Sequence, residues 1–264
     1  VQIVLYFALH YLNIIPKSRQ HGITTFIAIF MLDACLFNSN LRAGLIAHKL
    51  ADAKKIFRDK VKYAYDNLPK DLKEAVSLKK DDSQELLFSN NSGIYVGTSM
   101  RSGTLQILHV SEYGWICTHA PAKAAEIKSG ALETVHKDGF IFIEATAEGP
   151  IGDFPEMCDE AKDVQLSGRD HGPMDYKLHF FAWHEKDSNV TDPQYVDVDE
   201  KMHEYFDGLE TVFSKTITPE QRAWYTAKKK TLKHLIYKEH PSTIEEAFIA
   251  AIEGSYYAME MSKA

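Results

Sequence analysis

Lys17, Gly22 and Thr24 sit in the stretch PKSRQHGITT (16–25), directly after the apolar run 11–15. A strand, a glycine-containing loop and a hydroxyl residue opening a helix form an arrangement suited to phosphate. Free backbone N–H groups and the positive helix end face the anion, and the hydroxyl reaches a divalent cation. The usual pattern is G-x-x-x-x-G-K-[ST]. Gly22 and Thr24 fit its end, but Ile23 stands where the lysine belongs, and Lys17 occupies the position of the first glycine. Lys17 or Arg19, reaching over from the near lip of the loop, would replace the missing cation. The same residues also fit an ordinary strand-to-helix turn with a solvated lysine and arginine.

Two later strand ends bear on the same chemistry. LQILHVSEYG (105–114) is an apolar run that stops at Ser111-Glu112. In ATPases whose sheet carries an additional strand, an acidic pair closes such a run. The first carboxylate holds Mg²⁺ through water and the second polarises the attacking water. Glu112 fits the second role. Ser111 occupies the first, where a hydroxyl is a poorer partner for a dication than Asp. A surface glutamate at a strand end is the plain alternative. FIFIEATAEG (140–149) closes on Glu144-Ala145-Thr146. A short hydroxyl residue there can sense a γ-phosphate, although threonine is also ordinary strand composition.

The elements that must hold these residues follow from hydrophobic periodicity. Strands are expected at 11–15, 42–48, 93–99, 105–112, 140–147 and 176–185, and helices at 25–37, 50–68, 119–135 and within 149–164. MRSG (100–103) joins two of the strands. Leu50, Ala53, Phe57, Val61, Ala64 and Leu68 share one face of the second helix, which Pro69 stops. Apolar strands alternating with helices imply an α/β fold, a mostly parallel sheet with helices on both faces. Past about residue 190 the pattern turns helical. Thr218-Pro219-Glu220-Gln221 is a capping box with proline at the first helical position, and Thr243-Ile244-Glu245-Glu246 is a second box. The expected organisation is a core domain over 1–205 and a small helical subdomain over 206–264.

The 264 residues allow a sizeable core. A formal charge of −7 excludes a globally basic nucleic-acid binder and leaves local patches open. Arg42–Lys80 carries eleven Lys or Arg against five Asp or Glu. It reads first as a solvated helix face and second as a source of phosphate contacts. Cys35, Cys117 and Cys158 lie far apart with no CxxC spacing, which argues for a reducing compartment and against a disulfide frame or zinc site. No apolar run approaches the roughly 20 residues of a membrane span, and there is no signal-peptide pattern. His179 and His184 fall on opposite faces of a strand and make no metal pair. Trp115, Trp183 and Trp224 read as packing residues. The chain opens at Val1 without Met, so a fragment or incomplete reading frame is expected.

Together these segments resemble the ATPase domain of the large terminase subunit of tailed phages. KSRQHGITT resembles that family's arginine-containing Walker A variant, in which the lysine of some members stands at the start of the loop. LHVSEYG resembles its Walker B strand, with Ser-Glu for Asp-Glu, and IEATAEG resembles its coupling motif. GTSMRSGT (97–104), FFAWHE (180–185), ITPEQRAWY (217–225) and EHPSTIEEAF (239–248) also look like segments of the family, so the resemblance covers almost the whole chain.

The resemblance implies a P-loop NTPase of the additional-strand, catalytic-glutamate type that hydrolyses ATP with Mg²⁺. Lys17, Ser18, Arg19, Gln20, His21, Gly22, Ile23, Thr24 and Thr25 would form the nucleotide-binding loop. Thr24 and Ser111 would face the metal, and Glu112 would activate water. Glu144, Ala145 and Thr146 would couple hydrolysis to domain movement. Arg101 would sense charge or contact a neighbouring subunit, with a solvated loop arginine as the alternative. The implied partners are double-stranded DNA, the portal protein and the small terminase subunit. The implied assembly is a homo-oligomeric ring on the procapsid and a monomer in isolation, without a membrane. The implied place is the cytoplasm of an infected or lysogenic bacterial host.

Two departures stand out. Family members carry an adenine-contacting segment before the Walker A strand; little precedes residue 11 here, so low nucleotide affinity is expected. They also carry a nuclease domain built on carboxylates around two metals. Asp197 and Asp199 in VDVDEK read as an exposed acidic turn, so no nuclease activity is expected in this chain. Two further readings stay open: another P-loop DNA translocase or helicase-like NTPase, and a catalytically impaired fragment that keeps the fold and binds partners.

Overall fold

The computed structural model of the protein describes residues 1–101 and 103–253. Its centre is a sheet of β1 (Leu12–Pro16), β2 (Arg42–Ile46), β3 (Leu78–Asp81), β4 (Glu85–Phe88), β5 (Gly93–Gly97), β6 (Leu105–Ser111), β7 (Val135–Ala145) and β8 (Tyr176–Leu178). The eight strands lie in the order β3-β4-β5-β2-β6-β7-β1-β8. From β5 to β8 every pairing is parallel, and only β3–β4 and β4–β5 at one edge run antiparallel.

β7 is inserted between β1, which feeds the loop at 17–22, and the strand that ends in Ser111. Glu144 pairs with Ile15 on one side and with Ser111 on the other. This register brings the loop after β1, Ser111-Glu112 and Glu144 side by side at the carboxyl edge of the sheet. That edge is where open α/β sheets bind ligands.

Strand alternation sends Ile15, Ala43, Leu45, Ile107 and Phe142 into one apolar cluster and Ile14, Leu108, Val110, Ile141 and Ile143 into another. Both faces are covered, which is why the strands read as continuous apolar runs. The Ile23–Phe37 helix covers the first face, burying Ile27, Met31 and Cys35. Beside it runs the Leu50–Ile56 helix, prolonged by a π-helical turn at Phe57–Lys62 and a last turn at Tyr63–Asp66. The Tyr113–His119 and Asp153–Leu166 helices supply Tyr113, Ile116, Phe154 and Cys158 to the second cluster.

Several elements depart from their expected bounds, for local reasons. The strand expected over 176–185 stops at Leu178. Beyond it only a Lys17–Phe181 bridge remains, and Trp183–Glu185 coils into a 3-10 turn. Trp183 leaves the sheet because it is fully buried in a third apolar cluster with Met202, Phe206, Tyr225 and Ile236. The helix expected over 119–135 is broken at Ala120, before Pro121. Proline has no N–H to continue the preceding helix. The Gln2–Phe7 helix and the β3–β4 hairpin are too short to show in periodicity.

The third cluster is held by the helices Glu200–Phe213, Pro219–Leu232 and Leu235–Glu239. The first of these crosses residue 205, so the helical part begins at Glu200. Asp199 caps it, its carboxylate accepting from the Met202 N–H at 2.9 Å. The Thr218 box closes reciprocally, with Gln221 N–H to Thr218 Oγ1 at 3.3 Å and Thr218 N–H to Gln221 Oε1 at 3.1 Å. In the second box the Glu246 N–H donates to Thr243 Oγ1 at 3.0 Å. Ser102 of the MRSG loop and the part of 206–264 beyond residue 253 lie outside the described residues. Among the described residues no helix is long and apolar enough to cross a membrane, and no group of three or more His, Cys, Asp or Glu is placed to hold a metal ion.

Candidate active site

The loop after β1 turns sharply because Gln20 (φ 64°) and Gly22 (φ 74°) are left-handed. Only glycine adopts that conformation readily, and Gln2 of the N-terminal helix packs against Gly22, donating to its carbonyl at 3.3 Å. The N–H groups of Gln20 through Thr25 meet no acceptor among the described residues. Successive free N–H groups ahead of a 15-residue helix make a cradle for an anion. The near lip is fixed to three different elements. Lys17 N donates to Ala145 O at 3.1 Å, Ser18 N to Phe181 O at 2.9 Å, and Arg19 N to Glu239 O at 3.0 Å. Ile23 is buried in the first apolar cluster. The usual lysine position therefore serves packing here, and its side chain is withdrawn from the cradle.

Lys17, on the near lip, carries a buried ammonium. Its Nζ lies 2.9 Å from Glu144 Oε2 and 4.0 Å from Glu112 Oε1. The other Glu144 oxygen, Oε1, accepts from Thr24 Oγ1 at 2.7 Å and Ser111 Oγ at 2.9 Å, and lies 3.2 Å from His109 Nε2. Glu144 is completely buried and Lys17 nearly so. Burial alone would raise the Glu144 carboxyl, but the Lys17 charge and the His109 contact hold it well below the usual carboxylate range. Burial likewise pulls Lys17 down, and the charges of Glu144 and Glu112 outweigh it, so the ammonium stays above its ordinary value. Thr24, Ser111 and Glu144 thus form a compact set of oxygen donors, the ligand type that suits a hard cation such as Mg²⁺.

Glu112 follows the last residue of β6 and takes φ 58°, ψ 40° as the residue that opens the Tyr113–His119 helix. A left-handed conformation costs a residue with a side chain on the order of 1–3 kcal/mol. The turn lifts the carboxylate off the sheet edge, and the side chain is 34 % exposed. It lines an open cleft of about 750 Å³ together with Arg19, Gln20, Thr24, Ser111 and Glu148. Burial pushes the Glu112 carboxyl up, with Lys17 pulling against it. A partly exposed carboxylate with raised proton affinity is suited to act as a general base on water.

The remaining loop residues have defined places. Ser18 Oγ is 3.3 Å from His240 Nδ1. Arg19 forms an ion pair with Glu239, and Lys238 Nζ meets Glu148 Oε2 at 2.6 Å. The loop after β1 is thereby tied to the helical part of the chain. His21 packs near Phe181, and burial lowers its imidazole to about 4. Thr25 is half-buried in the first helical turn, and Thr146 is buried just past β7.

Arg101 is not brought to this site. Its Nε lies 3.5 Å from Glu126 Oε1, and it lines a separate cleft of about 670 Å³ with Arg42 and Gln106, beside the amino ends of β2 and β6.

The opposite wall of the cleft that Glu112 lines comes from residues that pattern alone did not single out for it. His48, Asp52, Lys55, Asp59, Lys60 and Trp115 line it. Trp115 stacks on His119 with ring centroids 4.5 Å apart, while Trp183 and Trp224 stack on each other within the helical part. His109 is the other addition: a histidine inside the apolar run 105–110 was the signal available for it.

A mostly parallel sheet with an extra strand between the strand before the 17–22 loop and the strand ending in Ser111 is a P-loop NTPase-like fold. No protein-family model matches the sequence, and no curated protein matches it. Solved structures do. The ATPase domain of the large terminase of Thermus phage P74-26, in a mutant form, matches with a TM-score of 0.59 at 16% identity, over 94% of this chain and 93% of that one. The same domain without the mutation gives 0.58 at 15% identity, over 92% of each chain. The large terminase of bacteriophage HK97 gives 0.57 at 15% identity, over 89% of this chain and 47% of that one. The chain has the fold of the phage large-terminase ATPase domains.

Proposed function

We propose that this chain is the ATPase part of a terminase large subunit, hydrolysing ATP with Mg²⁺ to drive viral double-stranded DNA into a procapsid. The observation that carries this reading is the convergence of Lys17, Thr24 and Glu112 at the carboxyl edge of a sheet of this fold. Lys17 and the free N–H groups of Gln20 to Thr25 would hold the phosphates, with Arg19 reaching them from the rim. Thr24 and Ser111 would face Mg²⁺, which when bound neutralises charge between the phosphate groups. Glu112 would orient the attacking water and take its proton.

Glu144 to Thr146 would couple the state of the phosphates to movement, since Glu144 touches both Lys17 and Thr24. The contacts of Arg19 and Glu148 with Glu239 and Lys238 give that movement a route into the helical subdomain. The proposed division is a core followed by a helical subdomain that begins with the Glu200–Phe213 helix. Arg101, remote from its own chain's phosphate loop, would act on a neighbouring subunit of a ring mounted on the portal. The small terminase subunit would be a further partner, and the bacterial host cytoplasm the place of action.

The test is ATP hydrolysis in Mg²⁺, with and without double-stranded DNA, for wild type, Glu112→Ala and Lys17→Ala. Loss in both variants supports the assignment. Survival in Lys17→Ala alone hands the phosphate role to Arg19. Strand separation stimulated by single strands would instead favour a helicase-like NTPase. A wild type that neither hydrolyses nor binds nucleotide overturns the site and leaves a binding module.

A further inference from the structure

β6 ends in a serine where an additional-strand ATPase places the carboxylate for Mg²⁺. A neutral hydroxyl gives a dication little charge, and Mg²⁺ sites in phosphate-transfer enzymes are built on one or two carboxylates. The next strand has one at the same level. Ser111 and Glu144 are register partners, and Glu144 Oε1 stands 2.9 Å from Ser111 Oγ and 2.7 Å from Thr24 Oγ1. We propose that Glu144 is the carboxylate that holds the divalent cation in this site, supplied from β7 in place of the one that β6 lacks. The proposal rests on the nucleotide reading above and adds a metal-holding role to the coupling role.

Charge balance supports the same assignment. The flanking residues Ile143 and Ala145 and the partner Ile15 are all fully buried and apolar. A charged glutamate in that setting pays heavily in desolvation unless a cation accompanies it. In the nucleotide-free protein Lys17 Nζ is that cation, 2.9 Å from Oε2. A lysine that moves onto phosphate leaves Glu144 needing another positive charge, and a dication on the Thr24 side supplies it. His109 Nε2, 3.2 Å from Oε1, is the positioning residue; it steadies the carboxylate in the way outer-shell partners steady metal ligands.

The experiment compares binding of N-methylanthraniloyl-ADP in Mg²⁺ and in EDTA, with bound Mn²⁺ followed by its paramagnetic resonance spectrum in the presence of ADP. The proteins are wild type, Glu144→Gln, and the transposed pair Ser111→Asp with Glu144→Ser. In wild type the nucleotide is expected to bind more tightly with metal than in EDTA. In Glu144→Gln that ratio falls toward one and the bound Mn²⁺ signal disappears. The transposed pair, with its carboxylate back on β6, regains both.

Glu144→Gln retaining the wild-type metal dependence and Mn²⁺ signal overturns the proposal. Should Glu144→Gln fail to fold by circular dichroism, the transposed pair decides: metal dependence restored supports the proposal, and metal dependence lost overturns it. A wild type that binds no nucleotide overturns the underlying nucleotide reading itself, an outcome distinct from both.

Discussion

Lys17 and Glu144 should be coupled energetically in the nucleotide-free protein. Lys17→Met keeps most of the buried stem and removes the ammonium that sits 2.9 Å from Glu144 Oε2. Removing one partner of a buried ion pair costs about 3–5 kcal/mol, because the other charge is left uncompensated. Glu144 keeps Thr24, Ser111 and His109 around Oε1, which offsets part of that loss. A destabilisation of about 3 kcal/mol is the working figure, and in a chain of this size it lowers the melting temperature by roughly 6–12 °C. Glu144→Gln should also destabilise, by stranding Lys17, though Glu112 at 4.0 Å softens that loss. The double variant removes both charges and should recover much of the stability, giving a coupling of about 2 kcal/mol or more.

Urea melts of the four proteins at pH 7 without nucleotide measure that coupling. The Glu144 carboxyl is depressed in the fold, so its contribution is complete above the unfolded value of about 4.3 and is lost as pH falls through the lower folded value. The coupling should therefore hold at neutral pH and shrink progressively as pH falls below about 4.3. Additive single effects, within about 0.5 kcal/mol, would mean that the lysine is not held by Glu144 in solution.

Four further outcomes are expected. Glu112→Gln should cut hydrolysis by about 10²–10⁴-fold with nucleotide affinity little changed; and because residue 112 is left-handed, Glu112→Gly should be more stable than Glu112→Ala by about 1 kcal/mol in urea melts. Arg19→Ala should leave the melting temperature almost unchanged, since the Arg19 side chain is 53 % exposed and its pair with Glu239 is worth under about 1 kcal/mol, while nucleotide affinity in a fluorescence titration falls. His21, His179 and His184 are each lowered to about 4 by burial, so between that value and the ordinary 6.5 the unfolded chain binds more protons; stability should fall steadily as pH drops from 7 to 4, measured by melts across that range.

Much of the candidate site was legible because its chemistry is local. Gly22, Thr24 and the strand-to-helix context of 16–25 announce an anion cradle, and an apolar run closed by Ser111-Glu112 announces a polar strand end. The capping residues Asp199 and Thr218 act over three residues, so they too can be read directly. The cleft wall was not legible. Asp52, Lys55 and Lys60 read as one more charged helix face, and nothing in their spacing says that this helix is brought opposite Glu112. Arg101 sits in sequence just before β6, yet the chain crosses back to the amino ends of the strands before β6 begins, taking it away from the phosphate loop.

The central strands β1, β2, β5, β6 and β7, their two-sided burial and the polar residues at their ends could be read along the chain, because hydrophobic alternation and loop chemistry act over a few residues. Tertiary structure alone decided which of those ends meet. Inserting β7 between β1 and β6 sets Glu144 between Lys17 and Ser111, both of them far earlier in the chain. Strand order depends on how distant segments pack to share one core. The lysine that looked displaced along the chain is, in space, beside the buried carboxylate that requires it.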